Sequence, residues 1–175
     1  MKKFAKIFMA AMMVAIVGFV ACSKDDDKKA DSTPTPDPNP ERYTESTIFT
    51  IKYDGVAVAA GDTVTYTHTT GMSVVLFDIV NKTFEPQNAC FKVEMVEGPD
   101  IMKEIGFCFG VCDNYTCPFI APRNGTYDVA AGGESAFDMQ FLNGAAAGTT
   151  ALYRLTAGRG RSLEDPQVIF VRVTL

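Results

Sequence analysis

The sequence is poor in the side chains that enzymes depend on. Histidine occurs once, at His68, in a threonine-rich stretch far from every cysteine. A cysteine nucleophile needs a basic partner, and none is near. The G-x-S-x-G elbow, H-E-x-x-H, the Walker loop and the Rossmann fingerprint are all absent, so their chemistries have no signature here. Asp128, Glu134 and Asp138 could form a glycosidase pair, but they fall at strand ends, where carboxylates are ordinarily solvated. No enzyme activity and no cofactor is expected. Positive charge is also short, with 16 Lys and Arg against 21 Asp and Glu.

The N-terminus states a destination. Lys2, Lys3 and Lys6 precede an apolar run from Ile7 to Ala21, and a charged tail follows at once. This is the pattern of a signal peptide, residues 1–21. An uncleaved anchor helix is the rival, since spanning takes ~20 apolar residues. The stretch Val20-Ala21-Cys22 decides between them because it resembles a bacterial lipobox, with Phe19 where leucine is usual. The resemblance implies cleavage before Cys22 and lipidation of that residue. Several acyl chains on one residue anchor stably where a single chain is marginal. Lys24-Asp25-Asp26 resembles the surface-export signal of Bacteroidetes lipoproteins. It implies an outer-membrane protein facing outward, with the periplasmic face as second choice.

Residues 22–42 read as a tether. Four prolines between Pro34 and Pro40, among Asp, Ser, Thr and Asn, favour an extended spacer that buries nothing. Loss of the three signal-peptide lysines leaves 13 basic against 21 acidic residues, a net charge near −8. That excludes a nucleic-acid partner and a basic membrane-docking face.

From Tyr43 to Leu175 the pattern is that of strands. Helical periodicity is scarce, and β-branched and aromatic runs are broken by Gly, Asp, Asn and Pro. Residues Ile48 to Tyr53 precede Asp54-Gly55, a strong hairpin signal. Met72 to Val80 is apolar on both faces, as in a central strand. Ala89 to Glu97 alternates, with Phe91, Val93 and Met95 inward. Phe137, Met139 and Phe141 share a face after a turn at Gly132-Gly133. The last two strands are joined by a polar loop, "GRGRSLEDP". About eight or nine short strands without crossover helices predict an all-β, immunoglobulin-like antiparallel sandwich over residues 43–175. A closed barrel is the alternative.

Four cysteines lie in this domain: Cys90, Cys108, Cys112 and Cys117. An even count in an exported domain favours disulfides, with three connectivities open. Zinc is disfavoured by successive gaps of three and four residues, which lack the paired C-x2-C knuckles of structural sites. No metal is expected. A thioredoxin-type motif needs C-x-x-C beside βαβ units, and neither is present.

"CDNYTC", then "VAAGGESAFDMQFLNGAAAGTTALYRLTA", then Asp165-Pro166 before a last strand, together resemble a Bacteroidetes family of secreted immunoglobulin-like domains carrying a C-D-x-x-x-C loop. The resemblance spans about Ala89 to Leu175. The chain departs from the family in "AAGGE" for "APGE", in two additional cysteines, and in having no tryptophan. The resemblance implies a Cys112–Cys117 bridge. That leaves Cys90 and Cys108 as the second pair, a loop of ~18 residues that would stabilise by about 3 kcal/mol.

Function on a rigid sandwich falls to loops. The candidate contact residues are Asp113, Asn114, Tyr115 and Phe119 in the cysteine loop, and Arg159 and Arg161 in the polar loop. Ser32 and Thr63 lie in triplets resembling the Bacteroidetes O-glycosylation site. The expected function is non-enzymatic binding or adhesion to a protein or glycan. The alternative is an accessory subunit docked on a larger outer-membrane complex through an edge strand or apolar patch.

Overall fold

A computed structural model describes residues 43–68, 73–141 and 144–175. Cys22 and Ser32 lie outside the described residues. The strands are β1 (Phe49–Tyr53), β2 (Val56–Ala57), β3 (Thr63–Thr67), β4 (Ser73–Asn81), β5 (Gln87–Glu97) and β6 (Glu104–Phe109). They continue with β7 (Val111–Thr116), β8 (Phe119–Ala121), β9 (Tyr127–Val129), β10 (Glu134–Phe141), β11 (Thr150–Arg159) and β12 (Glu164–Thr174). One short 3-10 turn, Asp100–Lys103, leads into β6.

The strands form two sheets. The first runs β2-β1-β4-β10-β6-β7, and the second β3-β12-β11-β5-β8 with β9 also on β5. This is the expected sandwich, with two differences. Twelve strands are present among the described residues rather than eight or nine. Three of them, β2, β8 and β9, are two or three residues long, too short to show alternation. The pairing is also not wholly antiparallel, since β3 lies parallel to β12. The chain leaves the first sheet after β2 and lands on the far edge of the second, so direction there is set by the crossing, not by a hairpin.

Alternation builds the core. Phe137, Met139 and Phe141 of β10 are all buried, as are Phe91 and Val93 of β5. Phe137 stacks on Phe77 at 5.2 Å between ring centroids, and Phe91 reaches across from the second sheet to within 4.4 Å of Phe137. Such aromatic pairs add to the gain from area burial alone.

The two ends of the domain are tied by a carboxylate. Asp165 Oδ2 accepts from the Thr47 amide and hydroxyl, each at 2.7 Å, from the Ile48 amide at 3.1 Å and from the Ser46 hydroxyl at 3.3 Å. Buried Gln167 extends the tie, accepting from the Ser46 amide and donating to the Val58 carbonyl, both at 3.1 Å. The Asp-Pro pair of the sequence is thus the latch that sets where β1 begins. Hydrogen bonding, led by the Thr47 hydroxyl, holds the Asp165 carboxyl below the usual carboxylate range.

Asp165 sits at φ 47°, a conformation asparagine tolerates, so Asp165→Asn isolates the charge. At neutral pH it should cost about 1–2 kcal/mol. The native carboxyl titrates below its unfolded value, so its stabilisation is complete above pH ~4 and is lost as pH falls through the depressed native value. Chemical denaturation across pH should therefore show wild type and variant converging in acid. A gap that stays constant to the acid limit would remove the charge from the account.

Candidate functional site

The site lies where the chain passes from the edge of one sheet to the edge of the other. Strand β7 borders the first sheet, and β8 joins the second after Cys117-Pro118. Through this passage odd-numbered residues turn inward: Tyr115 and Cys117 are buried and Phe119 is half-buried, while Thr116 and Pro118 are exposed. The Cys117 amide donates to the Lys103 carbonyl at 2.8 Å, which pins the crossing.

This parity overturns the expected disulfides. The structure has one bridge, Cys108–Cys112, with Cys90 and Cys117 as free, buried thiols. Cys112 to Cys117 is not a loop but mostly strand, and the five residue steps between them span about 16 Å in extended form. Its two ends also face opposite ways. Cys108 and Cys112 instead sit opposite each other across the β6–β7 hairpin, where Gly110 turns the chain at φ 71°. A side chain at Gly110 would collide with the Tyr127 ring, 2.0 Å from the Cβ position. Cys90 cannot reach Cys108. It lies on the second sheet with its side chain outward, opposite in direction to its buried neighbour Phe91, against the Gly125 carbonyl at 3.6 Å. Cys108 is outward on the first sheet, beside Gln140 Nε2 at 3.1 Å. Two sheets stand between them.

The same crossing assembles a cleft of about 450 Å³, with Tyr115, Phe119 and Arg161 among its lining residues. Tyr115 stacks on Phe119 at 4.3 Å with 16° between planes. Arg123 also lies over the Tyr115 ring, its guanidinium carbon 5.0 Å from the centroid, a cation–π arrangement. The Tyr115 hydroxyl accepts from the Arg123 amide at 3.1 Å, and burial pushes its pKa above the ordinary phenol value. Arg123 Nε pairs with Asp113 Oδ2 at 2.8 Å, and its Nη2 donates to the Asn114 carbonyl at 2.9 Å. From the second sheet comes Lys92, beside Ile120 in the β5–β8 ladder. Arg161 reaches in from the β11–β12 turn and donates to the carbonyls of Pro122 at 2.9 Å and Gly125 at 3.4 Å.

Four of the six candidate contact residues therefore meet: Tyr115, Phe119 and Arg161 line the cleft, and Asp113 braces Arg123 at its rim. Asn114 contributes only its carbonyl, because its side chain shares the outer face with its partner Gly106. Arg159 does not belong with Arg161. It ends β11, opposite Glu164 across the ladder, and binds that carboxylate with Nε at 3.1 Å. Sequence reasoning missed Arg123, Lys92, Pro118 and Ile120, which also line the cleft. Arg123 follows Pro122 in a stretch that carries no alternation, so nothing local marked it. Thr63 begins β3 with its side chain exposed. Asn81 is fully buried, its Nδ2 donating to three carbonyls, of Glu85, Val129 and Ala130. Among the described residues no three His, Cys, Asp or Glu side chains gather as a metal site.

No protein-family profile and no curated protein matches the sequence. Solved structures resemble the fold. The N-terminal domain of PorA aligns over 72% of this chain and 96% of its own, at 18% identity and a TM-score of 0.49. A chaperone–tip adhesin complex of CFA/I fimbriae aligns over 71% and 56%, at 13% identity and 0.41. A family 123 glycoside hydrolase from Clostridium perfringens aligns over 65% of this chain but 23% of its own, at 8% identity and 0.41. At these identities the likeness concerns architecture alone.

Burial raises the Cys90 thiol above its ordinary value and pushes Cys117 up to about 11. Both should resist alkylation in the native protein at mildly alkaline pH and react on unfolding, since the thiolate is the nucleophile. Non-reducing peptide mapping should give Cys108–Cys112 as the one bridge. A Cys112–Cys117 or Cys90–Cys108 peptide would contradict the register described above.

Proposed function

We propose that this chain is an outer-membrane lipoprotein, anchored through Cys22 and facing outward, whose sandwich is a non-enzymatic binding module for a protein or glycan. The observation that carries the reading is the convergence of Tyr115, Phe119 and Arg161 on one cleft at the sandwich edge. Concave sites of this size with an apolar lining and a few polar groups are the usual form of ligand sites. Aromatic and arginine side chains are also the ones that dominate binding energy at recognition surfaces. Strands β7 and β8 hold the two rings, and two loop carbonyls hold Arg161, so little ordering cost falls on the moment of binding.

The tether sequence supports display, because its proline-rich composition favours a spacer that would carry the domain clear of the anchor. Lipid attachment supplies membrane affinity, and the acidic sandwich does not need to supply any.

Three measurements test this reading. Protease treatment of intact cells should remove the domain, and Cys22→Ser should move the protein out of the membrane fraction. Phe119→Ala should lower binding of the purified lipoprotein to its surface ligand, captured from a panel of matrix proteins and glycans, by ten-fold or more; its melt should fall, since the ring also packs on the core, while circular dichroism at the binding temperature should match wild type. A protein untouched by protease argues against outward display. A stoichiometric membrane partner in mild detergent, with no binding to the panel, would favour the accessory-subunit reading.

A further inference from the structure

We infer that the cleft takes an acidic glycan, with Arg161 receiving a sugar carboxylate and Pro118, Phe119 and Ile120 carrying the apolar face of the ring. This rests on the binding-module reading above and narrows its ligand to one chemical class.

Charge is the first argument. Lys92, Arg123 and Arg161 line the cleft, and Arg154 lies next to Lys92 through a shared carboxylate. Two acids answer these four cations. Glu94 is divided between Lys92 at 2.9 Å and Arg154 at 2.5 Å, and Asp113 holds Arg123. Arg161 has no carboxylate partner among the described residues; two backbone carbonyls take its Nη1. Those bonds aim the side chain and leave its remaining N–H groups open. A guanidinium held this way is suited to a planar two-oxygen acceptor. The excess of positive charge is notable on a chain whose net charge is −5, and it selects for an anion.

The second argument concerns what β8 cannot do. An exposed edge strand can recruit a peptide by strand addition. Here β8 is three residues long and flanked by Pro118 and Pro122, which lack N–H donors and blunt an edge. Recognition at this edge therefore runs through side chains, not through a peptide backbone ladder. An aromatic and aliphatic shelf beside a fixed guanidinium fits a sugar ring, whose C–H face is apolar and whose rim is polar. The volume of about 450 Å³ suits a short oligosaccharide rather than a folded protein surface.

Isothermal titration of the lipoprotein in mild detergent tests this with three probes: tetragalacturonate, maltotetraose and a tetraglutamate peptide. Tetragalacturonate should bind about ten-fold or more tightly than either other probe, and its affinity should fall as salt rises. Arg161→Gln should lose about ten-fold of that affinity, while Arg161→Lys should keep part of it; unfolding melts of both should match wild type. Equal binding of maltotetraose, equal or tighter binding of the peptide, or an unaffected Arg161→Gln variant would overturn the inference. If tetragalacturonate fails while Phe119→Ala still abolishes capture of another ligand, the binding module stands and its acidic-glycan assignment falls.

Discussion

The inward turn of Cys117, at the point where the chain leaves one sheet for the other, governs the site. Its amide is fixed to the Lys103 carbonyl, and its side chain is buried. Within β7, alternation puts Tyr115 on the buried side and Thr116 outward. Beyond the Cys117-Pro118 bend, Phe119 returns to the same gap and stacks on Tyr115. Pro118 lies on the open side, along the cleft. The aromatic floor of the cleft is thus assembled on either side of one buried thiol.

The surrounding charges extend the same logic. Arg123 is held by a ring, a carboxylate and a carbonyl, and Arg161 by two carbonyls of the adjoining loop. A guanidinium restrained before the ligand arrives loses less freedom on binding. The free thiol of Cys90 lies beneath this loop, against Gly125. The loop is thereby packed from below as well as tied from above. The disulfide stands apart, on the outer face of the other sheet, and closes the β6–β7 hairpin that feeds the crossing.

Much of the fold was legible because burial imposes period two. Phe91 and Val93, and Phe137, Met139 and Phe141, declared their strands and their inward faces. The cysteine stretch did not. In β7 one apolar residue in six, Tyr115, turns fully inward, because the strand lies at a sheet edge with solvent beside it. Six residues with a single buried position look like a polar loop, and a loop invites a bridge between its ends. Gly110 was the signal that could have corrected this, since a glycine centred between Cys108 and Cys112 pairs them across a hairpin. Arg123 and Lys92 were invisible for another reason: their meeting depends on β8 pairing with β5 and on the residue after Pro122 reaching back to β7, which no local pattern encodes. Asp165-Pro166 was noticed as a motif, and its role as a latch on residues 46–48 required the fold.

The most direct test of the account is a heteronuclear NMR titration of the labelled protein with tetragalacturonate, following backbone amides and arginine Nε–H signals together. The account predicts shifts confined to residues 119–123, Lys92 and the Arg123 and Arg161 side chains, with β4 and β10 unmoved. Shifts centred on the outer face of the first sheet, or none at the cleft at saturating ligand, would contradict it.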